Sequence, residues 1–284
     1  MRSRGRVTGN DPMRPIPDNI RRNFQRKIFR FYEKHGRTEL PFRNTTDPYA
    51  ITVSEVMLQQ TQVERVLPKY ETWLSRWPDF SALAGATQQE VLSAWSGLGY
   101  NRRAVFLWKL AQAVVSEYDG RLPSDPRELQ TLPGIGEYTS RAILIFAYNR
   151  PLAAIDTNIR RVLIHELSLD RSISMPHLQQ VAGQVLPKRR AREWHYALMD
   201  YSRLALSRMV ADIAPLTRQS KFEGSIRQIR GEIVRRLTRQ RSVRLSTVAR
   251  SLQRELADVE RAVAGLEKDG LVRRNKDVVE LTSG

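Results

Sequence analysis

Apolar residues recur at three- and four-residue intervals through most of the chain, the spacing of amphipathic helices. Ile20, Phe24, Ile28 and Phe31 form one stripe of a helix over Asn19–His35, closed by Gly36. Asp47-Pro48 reads as an N-cap with proline at the first helical position, opening a single helix that runs past Val66 to about Trp73. Shorter helices are expected at Phe80–Leu83, Gln88–Trp95 and Arg102–Tyr118. Asp125-Pro126 opens another that ends near Leu132. The turn Leu132-Pro-Gly-Ile-Gly136 then leads into a helix carrying Tyr138, Ile143, Leu144 and Ala147 at helical spacing. Further helices are expected at Ile159–Leu167, Met175–Leu186 and Ala191–Ser207, and no strand-like alternation interrupts this block.

The pattern changes at the polar link Pro215–Gly224. Beyond it come a helix over Ser225–Arg239, a second capped by Ser246 and ending at Leu252, and a third over Asp258–Gly270. Leu271–Leu281 reads as two short strands around a charged turn, which completes a winged helix-turn-helix pattern. The expected class is therefore mainly α. A flexible basic arm is read at residues 1–18, an all-helical domain of two lobes at 19–217 with its helical hairpin at about 126–148, and a winged module at 218–284.

Charge narrows the partner. The 284 residues carry a formal net charge of +17, with local peaks at Lys188–Arg192 and Arg235–Arg244. Such a field favours a polyanion, and double-stranded DNA is the expected one. There is no cysteine, which excludes disulfides, thiolate nucleophiles, Cys-ligated zinc and a Cys-held iron–sulfur cluster, so no cofactor is expected. The four histidines show no metal-ligand spacing. No run is long and apolar enough to span a membrane, and no apolar signal core begins the chain. A cytoplasmic, nucleoid-associated monomer is the expectation.

The glycine turn supplies the first chemistry. Gly134 and Gly136 allow close backbone approach, and a turn that opens a helix points N–H groups outward, which suits a phosphate oxygen or a bridging cation. One helix later, Asp156 follows an apolar run. Glu55 and Gln59 lie four apart on one face of an otherwise apolar helix, with Gln62 a turn further on. An anionic Asp and a proton-holding Glu suit cleavage of an N-glycosidic bond: the carboxylate stabilises an oxocarbenium-like sugar while the acid protonates the departing base. The base must leave the stack first, and Gln60 and Tyr100, from two turns, are candidates to fill its place.

These stretches resemble the helix-hairpin-helix DNA glycosylase superfamily. Its motifs are matched in order by Glu-Val-Met-Leu-Gln-Gln-Thr-Gln-Val from Glu55, Gly97-Leu-Gly-Tyr, Leu132-Pro-Gly-Ile-Gly-x-Tyr-Thr, and Ile155-Asp-x-Asn-x-x-Arg-Val. The first is specifically similar to MutY-type adenine glycosylases, and the resemblance extends from about Leu40 to Asp200. It implies that Asp156 is the catalytic aspartate, that Glu55 protonates adenine and handles water, and that Asn158 orients Asp156 and the water. Tyr138 would stand where lyase-competent relatives have lysine, so no Schiff-base step is expected. Arg43 would lie near the flipped base, and Gln59 would be among the residues that bind substrate or DNA. Leu132, Gly134, Ile135, Gly136 and Thr139 would face the DNA backbone, with a monovalent cation at the backbone of Leu132 and Gly134.

Three departures and one milder change accompany the resemblance. Tyr201-Ser-Arg-Leu-Ala-Leu-Ser-Arg stands where the family's four-cysteine cluster loop would follow. The domain through which typical members read 8-oxoguanine is missing. Tyr196 replaces the Gln or Glu that contacts the adenine edge, and Phe42 the usual tryptophan. The implied function is a monofunctional glycosylase for adenine opposite guanine or 8-oxoguanine. A thymine or uracil glycosylase acting on G·T or G·U mispairs, and a catalytically inactive DNA-binding protein, remain the alternatives.

Overall fold

The structure, a computed structural model, describes residues 15–216 and 221–282. In chain order its helices are α1 (Asp18–His35), α2 (Pro48–Leu58), α3 (Val63–Arg76), α4 (Phe80–Ala84), α5 (Gln88–Trp95), α6 (Arg102–Tyr118), α7 (Pro126–Thr131), α8 (Glu137–Tyr148), α9 (Thr157–Glu166), α10 (Met175–Val185) and α11 (Ala191–Asp200). Then follow α12 (Ile226–Leu237), β1 (Ser242–Arg244), α13 (Leu245–Leu252), α14 (Leu256–Lys268), β2 (Val272–Asn275) and β3 (Val278–Leu281). Most of the arm at 1–18 and part of the link at 215–224 lie outside the described residues.

Two compact units emerge. The first combines described residues of 1–47 and 136–218, the second those of 48–135 and 219–284. The division falls inside the hairpin sequence, between Ile135 and Gly136. In the first unit α1 packs on α11 and α10, burying Phe24 and Ile28 with Trp194, which meets Phe24 edge-on at 5.3 Å. Tyr32, rather than Phe31, is the buried aromatic of the last turns. In the second unit α2 to α6 enclose Trp73 and Trp95, 5.6 Å apart. A capping box opens α5: Thr87 accepts from the Glu90 N–H, and Glu90 accepts from that of Thr87.

Four expectations need correction. The helix expected from Asp47–Pro48 to Trp73 is two helices, because α2 stops at Leu58 and Gln60 adopts a left-handed φ of 55°. The run expected over Ala191–Ser207 ends as an α-helix at Asp200 and continues as a π-helix, Tyr201–Leu206. Ser246 does not cap α13. It lies one residue inside the helix, where its N–H and hydroxyl donate to the Asp277 carboxylate. Finally, β1 adds a third strand, giving the antiparallel order β1-β3-β2. Val243 pairs with Val279 in that sheet, and both are buried. Sequence inspection missed β1 because three residues are too few for an alternation to register.

The stretch after Asp200 is held by packing. Leu206, Val210 and Ile213 are buried. Arg160 donates to the Ala214 carbonyl at 2.8 Å and Arg161 to that of Ile213 at 3.1 Å, tying residues 213–214 to α9. Among the described residues no helix is long and apolar enough to cross a membrane.

Candidate active site

Asp156 is the N-cap of α9 in the first unit. One carboxylate oxygen accepts the Ile159 N–H at 2.7 Å and the other accepts the Asn158 side-chain amide at 3.0 Å. Asn158 and Asp156 are thus brought together. Burial pushes the Asp156 pKa up, and the hydrogen bonds from Ile159 and Asn158 offset only part of that rise. The carboxylate is therefore half-buried and aimed by two donors. The strand-like lead-in to it is also fixed: Arg141 and Gln179 donate to the Ala153 carbonyl at 3.1 and 2.7 Å. The Ala154 N–H donates to His195 Nε2 at 3.1 Å, and His195 Nδ1 lies 2.6 Å from the Ala191 carbonyl, so the neutral ring bridges α11 to the lead-in. Burial pulls the His195 pKa down to about 4, which keeps that ring uncharged. Tyr138 is half-buried in the first turn of α8.

In the second unit, Glu55 is the one residue between 49 and 57 that is not buried. The rest of α2 over that span is core, so the helix is fixed around a single accessible carboxyl. Gln59 and Gln60 lie past the helix end, in the turn to α3, rather than on the face of Glu55. Gln60 is exposed, and so is Tyr100, which lies in the turn between α5 and α6 with a φ of 48°. Left-handed backbone disfavours a residue with a Cβ by roughly 1–2 kcal/mol, and such strain concentrates at functional sites. Both candidate wedges carry it.

One half-buried side chain holds the two turns. Arg103 Nη1 donates to the carbonyls of Val56, Met57 and Gln59 at 2.8, 2.9 and 2.6 Å. Its Nη2 donates to Thr61 Oγ1 and to the carbonyls of Leu98 and Gly99 at 3.0, 3.2 and 3.1 Å. Burial lowers its pKa to about 10, still far above neutrality, so the cation persists. Sequence inspection missed Arg103. Its place three residues after Tyr100 was visible, but an arginine in a basic chain is no signal of a clamp.

In the hairpin turn Gly134 has the geometry expected of a glycine, whereas Gly136, with a φ of −96° and nothing within 4 Å of a Cβ, does not require one. Gly134 has a φ of +79°, and a Cβ there would stand 2.8 Å from Phe106 Cβ. The Leu132 carbonyl accepts the Ile135 N–H at 3.2 Å. The side chains of Leu132, Ile135 and Thr139 are buried, while Gly134 and Gly136 are exposed. Among the described residues no group of three or more His, Cys, Asp or Glu is placed to hold a metal ion.

Arg43 faces inward in the first unit. Its guanidinium grips Asp200 with Nη1 and Nη2 at 2.6 and 2.9 Å, and stands 4.6 Å over the ring of Tyr196. Phe146 also stacks on that ring at 4.6 Å with an interplanar angle of 5°. The Tyr196 hydroxyl donates to the Phe42 carbonyl at 3.4 Å. Arg43 and Tyr196 border a cavity of about 330 Å³ that is also lined by Tyr32, Asn149, Arg189 and Glu193.

Comparison with known proteins places the chain in a family. Residues 53–188 match the HhH-GPD superfamily of base excision DNA repair proteins. The adenine DNA glycosylase of Mycolicibacterium smegmatis is 37% identical over 268 residues, 86% of this chain and 90% of that protein. The chain is a MutY-like member of the HhH-GPD superfamily. It belongs among the DNA glycosylases of base excision repair. A thermostable thymine-DNA glycosylase superposes on the MutY-like chain with a TM-score of 0.60 at 28% identity, covering 66% of this chain and 87% of that one. Endonuclease III, in a non-covalent complex with DNA, shares the fold at a TM-score of 0.60 and 18% identity, over 71% of this chain and 91% of that one. Within the MutY-like frame, the residues missed from sequence are those that position others: Arg103, His195 and Asp200.

Proposed function

We propose that this chain is a monofunctional DNA glycosylase that hydrolyses the N-glycosidic bond of a flipped-out adenine opposite guanine or 8-oxoguanine. The observation that carries the reading is Asp156: a half-buried carboxylate with a raised pKa, aimed by the Ile159 N–H and the Asn158 amide. The 37% identity to an adenine DNA glycosylase supports the choice of base. In the proposed reaction Glu55 gives a proton to a ring nitrogen of the adenine, and the C1′–N bond breaks with its electron pair leaving on the base. The sugar becomes an oxocarbenium ion, stabilised by the Asp156 anion. Water, held by Asn158 and deprotonated by Glu55, adds to C1′, so the acid is regenerated and an abasic sugar remains. Tyr138 offers no amine, so no Schiff base forms with the sugar. Gln60 and Tyr100 enter the duplex where the base has left, and the backbone of Gly134 and Gly136 holds a phosphate, with the Leu132 carbonyl available to a monovalent cation. With no cysteine in the chain, an iron–sulfur cluster has no thiolate ligands, and the contacts of residues 201–216 take over its structural role.

The test is Asp156→Asn with defined mispaired duplexes followed by hot alkali. A unit charge about 4 Å from the sugar cation at an effective dielectric of about 20 is worth about 4 kcal/mol, roughly a thousandfold in rate. Excision should fall by that order while duplex affinity is retained; undiminished cleavage overturns the assignment. Asparagine also caps helices, so α9 persists. The shift of Asp156 has a second consequence with a definite sign. A carboxyl whose folded pKa is raised destabilises the fold as pH rises from its unfolded pKa through the folded one, so the Asn variant should be the more stable protein at neutral pH.

A second reading is thymine or uracil excision from G·T or G·U mispairs. It is favoured by the burial of Tyr196, which turns its hydroxyl to the Phe42 carbonyl and so presents no amide or carboxylate to a base edge, and by the thymine-DNA glycosylase likeness. The same duplex panel separates the two, and Glu55→Gln should abolish adenine release but spare pyrimidine release.

A further inference from the structure

The C-terminal module is fastened to the two helices that flank the Tyr100 turn. From α5, Gln88 donates to the Leu271 carbonyl at 3.2 Å and accepts from the Thr282 hydroxyl at 2.8 Å, while Gln89 donates to the Thr238 carbonyl at 3.2 Å. At the start of α6, Arg102 pairs with Asp269 at 3.5 Å, and Arg230 from α12 pairs with the same carboxylate. Between these two attachments Arg227, in the first turn of α12, donates from Nη1 to the Tyr100 hydroxyl and lies 5.4 Å from its ring centroid. Arg103, from α6, lies 5.6 Å from the same centroid. Tyr100 is thus an exposed aromatic in left-handed backbone, held at its base by α6 and at its tip by the C-terminal module.

The module's own charges point away from groove reading by its last helix. In a helix–strand–helix–helix–strand–strand module the helix before the hairpin is the usual reader of the major groove. Here that helix, α14, carries Asp258, Glu260 and Glu267 against Arg261 and Lys268. Arg261 is paired with Asp258, and Glu260 with Arg274.

We infer that Arg227 is a positioning residue for Tyr100, so that the C-terminal module serves mismatch engagement through the wedge rather than by reading sequence. This rests on the reading of Tyr100 as a side chain that enters the duplex. Fixing the phenol before DNA arrives removes side-chain freedom that would otherwise be lost on binding. Arg227→Ala and Tyr100→Phe should therefore have the same effect, each deleting one end of one hydrogen bond.

The experiment uses the full chain and duplexes carrying 2-aminopurine beside the mispair, whose fluorescence rises when stacking is broken. Arg227→Ala should weaken mispair affinity and raise KM about tenfold, the weight of a hydrogen bond to a charged group. The single-turnover rate at saturation should change far less, and the fluorescence rise should be smaller. Tyr100→Phe should match it, the double variant should be no worse than either, and Arg227→Lys should recover part of the loss. Tyr100→Phe leaves the module untouched, so it carries the test even where Arg227→Ala disturbs folding. Wild-type affinity and fluorescence in Tyr100→Phe and Arg227→Ala, with Tyr100→Ala impaired, overturn the role of Arg227 and leave the wedge standing. Wild-type behaviour of Tyr100→Ala removes the wedge, and the inference with it.

Discussion

Asp200→Asn isolates what one buried carboxylate does for the first unit. Asp200 is fully buried and receives the Arg37 N–H at 2.9 Å, Arg37 Nε at 2.8 Å and the two Arg43 nitrogens at 2.6 and 2.9 Å. Arg37 Nη2 stands a further 2.7 Å from it. Asparagine keeps the shape but removes the charge and replaces one acceptor with an NH₂ group, which then faces guanidinium donors. The Arg43 side chain is 5% exposed, so its cation is left in the interior without a counter-charge. Removing one partner of a buried pair costs about 3–5 kcal/mol. With a urea m-value of about 3 kcal/mol/M, the denaturation midpoint should fall by about 1–1.7 M. At about 2–4 °C per kcal/mol, the melting temperature should drop on the order of 10 °C. Burial alone would raise the Asp200 pKa, but the hydrogen bonds and charges of Arg43 and Arg37 overcome it and hold the carboxyl below its ordinary range. A depressed folded pKa means the stabilisation is complete above the unfolded pKa of about 4 and fades as pH falls through the folded value. The gap between wild type and variant should therefore be widest at neutral pH and close in strong acid. A loss under about 1 kcal/mol at pH 7 would refute the reasoning, since it lies below even the weakest estimate for a broken buried pair.

His195 should confer an acid-side dependence of its own. With its pKa lowered from 6.5 to about 4 in the fold, stability should decline by about 3 kcal/mol as pH falls from about 6.5 to 4, and urea titrations of His195→Gln should show that slope flattened. Arg103→Lys keeps a cation but brings at most three donors to six acceptors. Unfolding stability should drop by on the order of 3 kcal/mol, and discrimination between mispaired and matched duplex should narrow in a binding assay. A Lys variant as stable and selective as the wild type would show that the clamp is dispensable.

Helices wrapped around local signals were legible in the chain. α5 and α6 fall at the expected residues because Thr87, Glu90 and the turns around Gly97 and Gly120 bound them on a scale of a few residues. The turn at Gly134 and the helix N-cap at Asp156 were legible for the same reason: each is set by residues within a few positions of it. The break at Gln59–Gln62 was not, because no glycine or proline marks it. What interrupts the helix is Arg103, from more than forty residues away, drawing the carbonyls of Val56, Met57 and Gln59 to itself. Likewise Asp200 reads as one more acid before a basic stretch, and only the fold brings Arg37 and Arg43 to it. Sequence showed the groups fit for chemistry; the groups that aim them depend on contacts across long separations.

The Arg103 clamp also bears on how such a protein can change. Because one guanidinium holds the Gln59 turn and the Gly99 turn together, neither loop is an independent module open to piecemeal alteration. A substitution that shifts either backbone moves the shared donor and so reaches the other. Variation at residues 59–61 should consequently be inherited together with variation at 97–100, and loop grafts between relatives should succeed when both turns travel with their arginine and fail when one is moved alone.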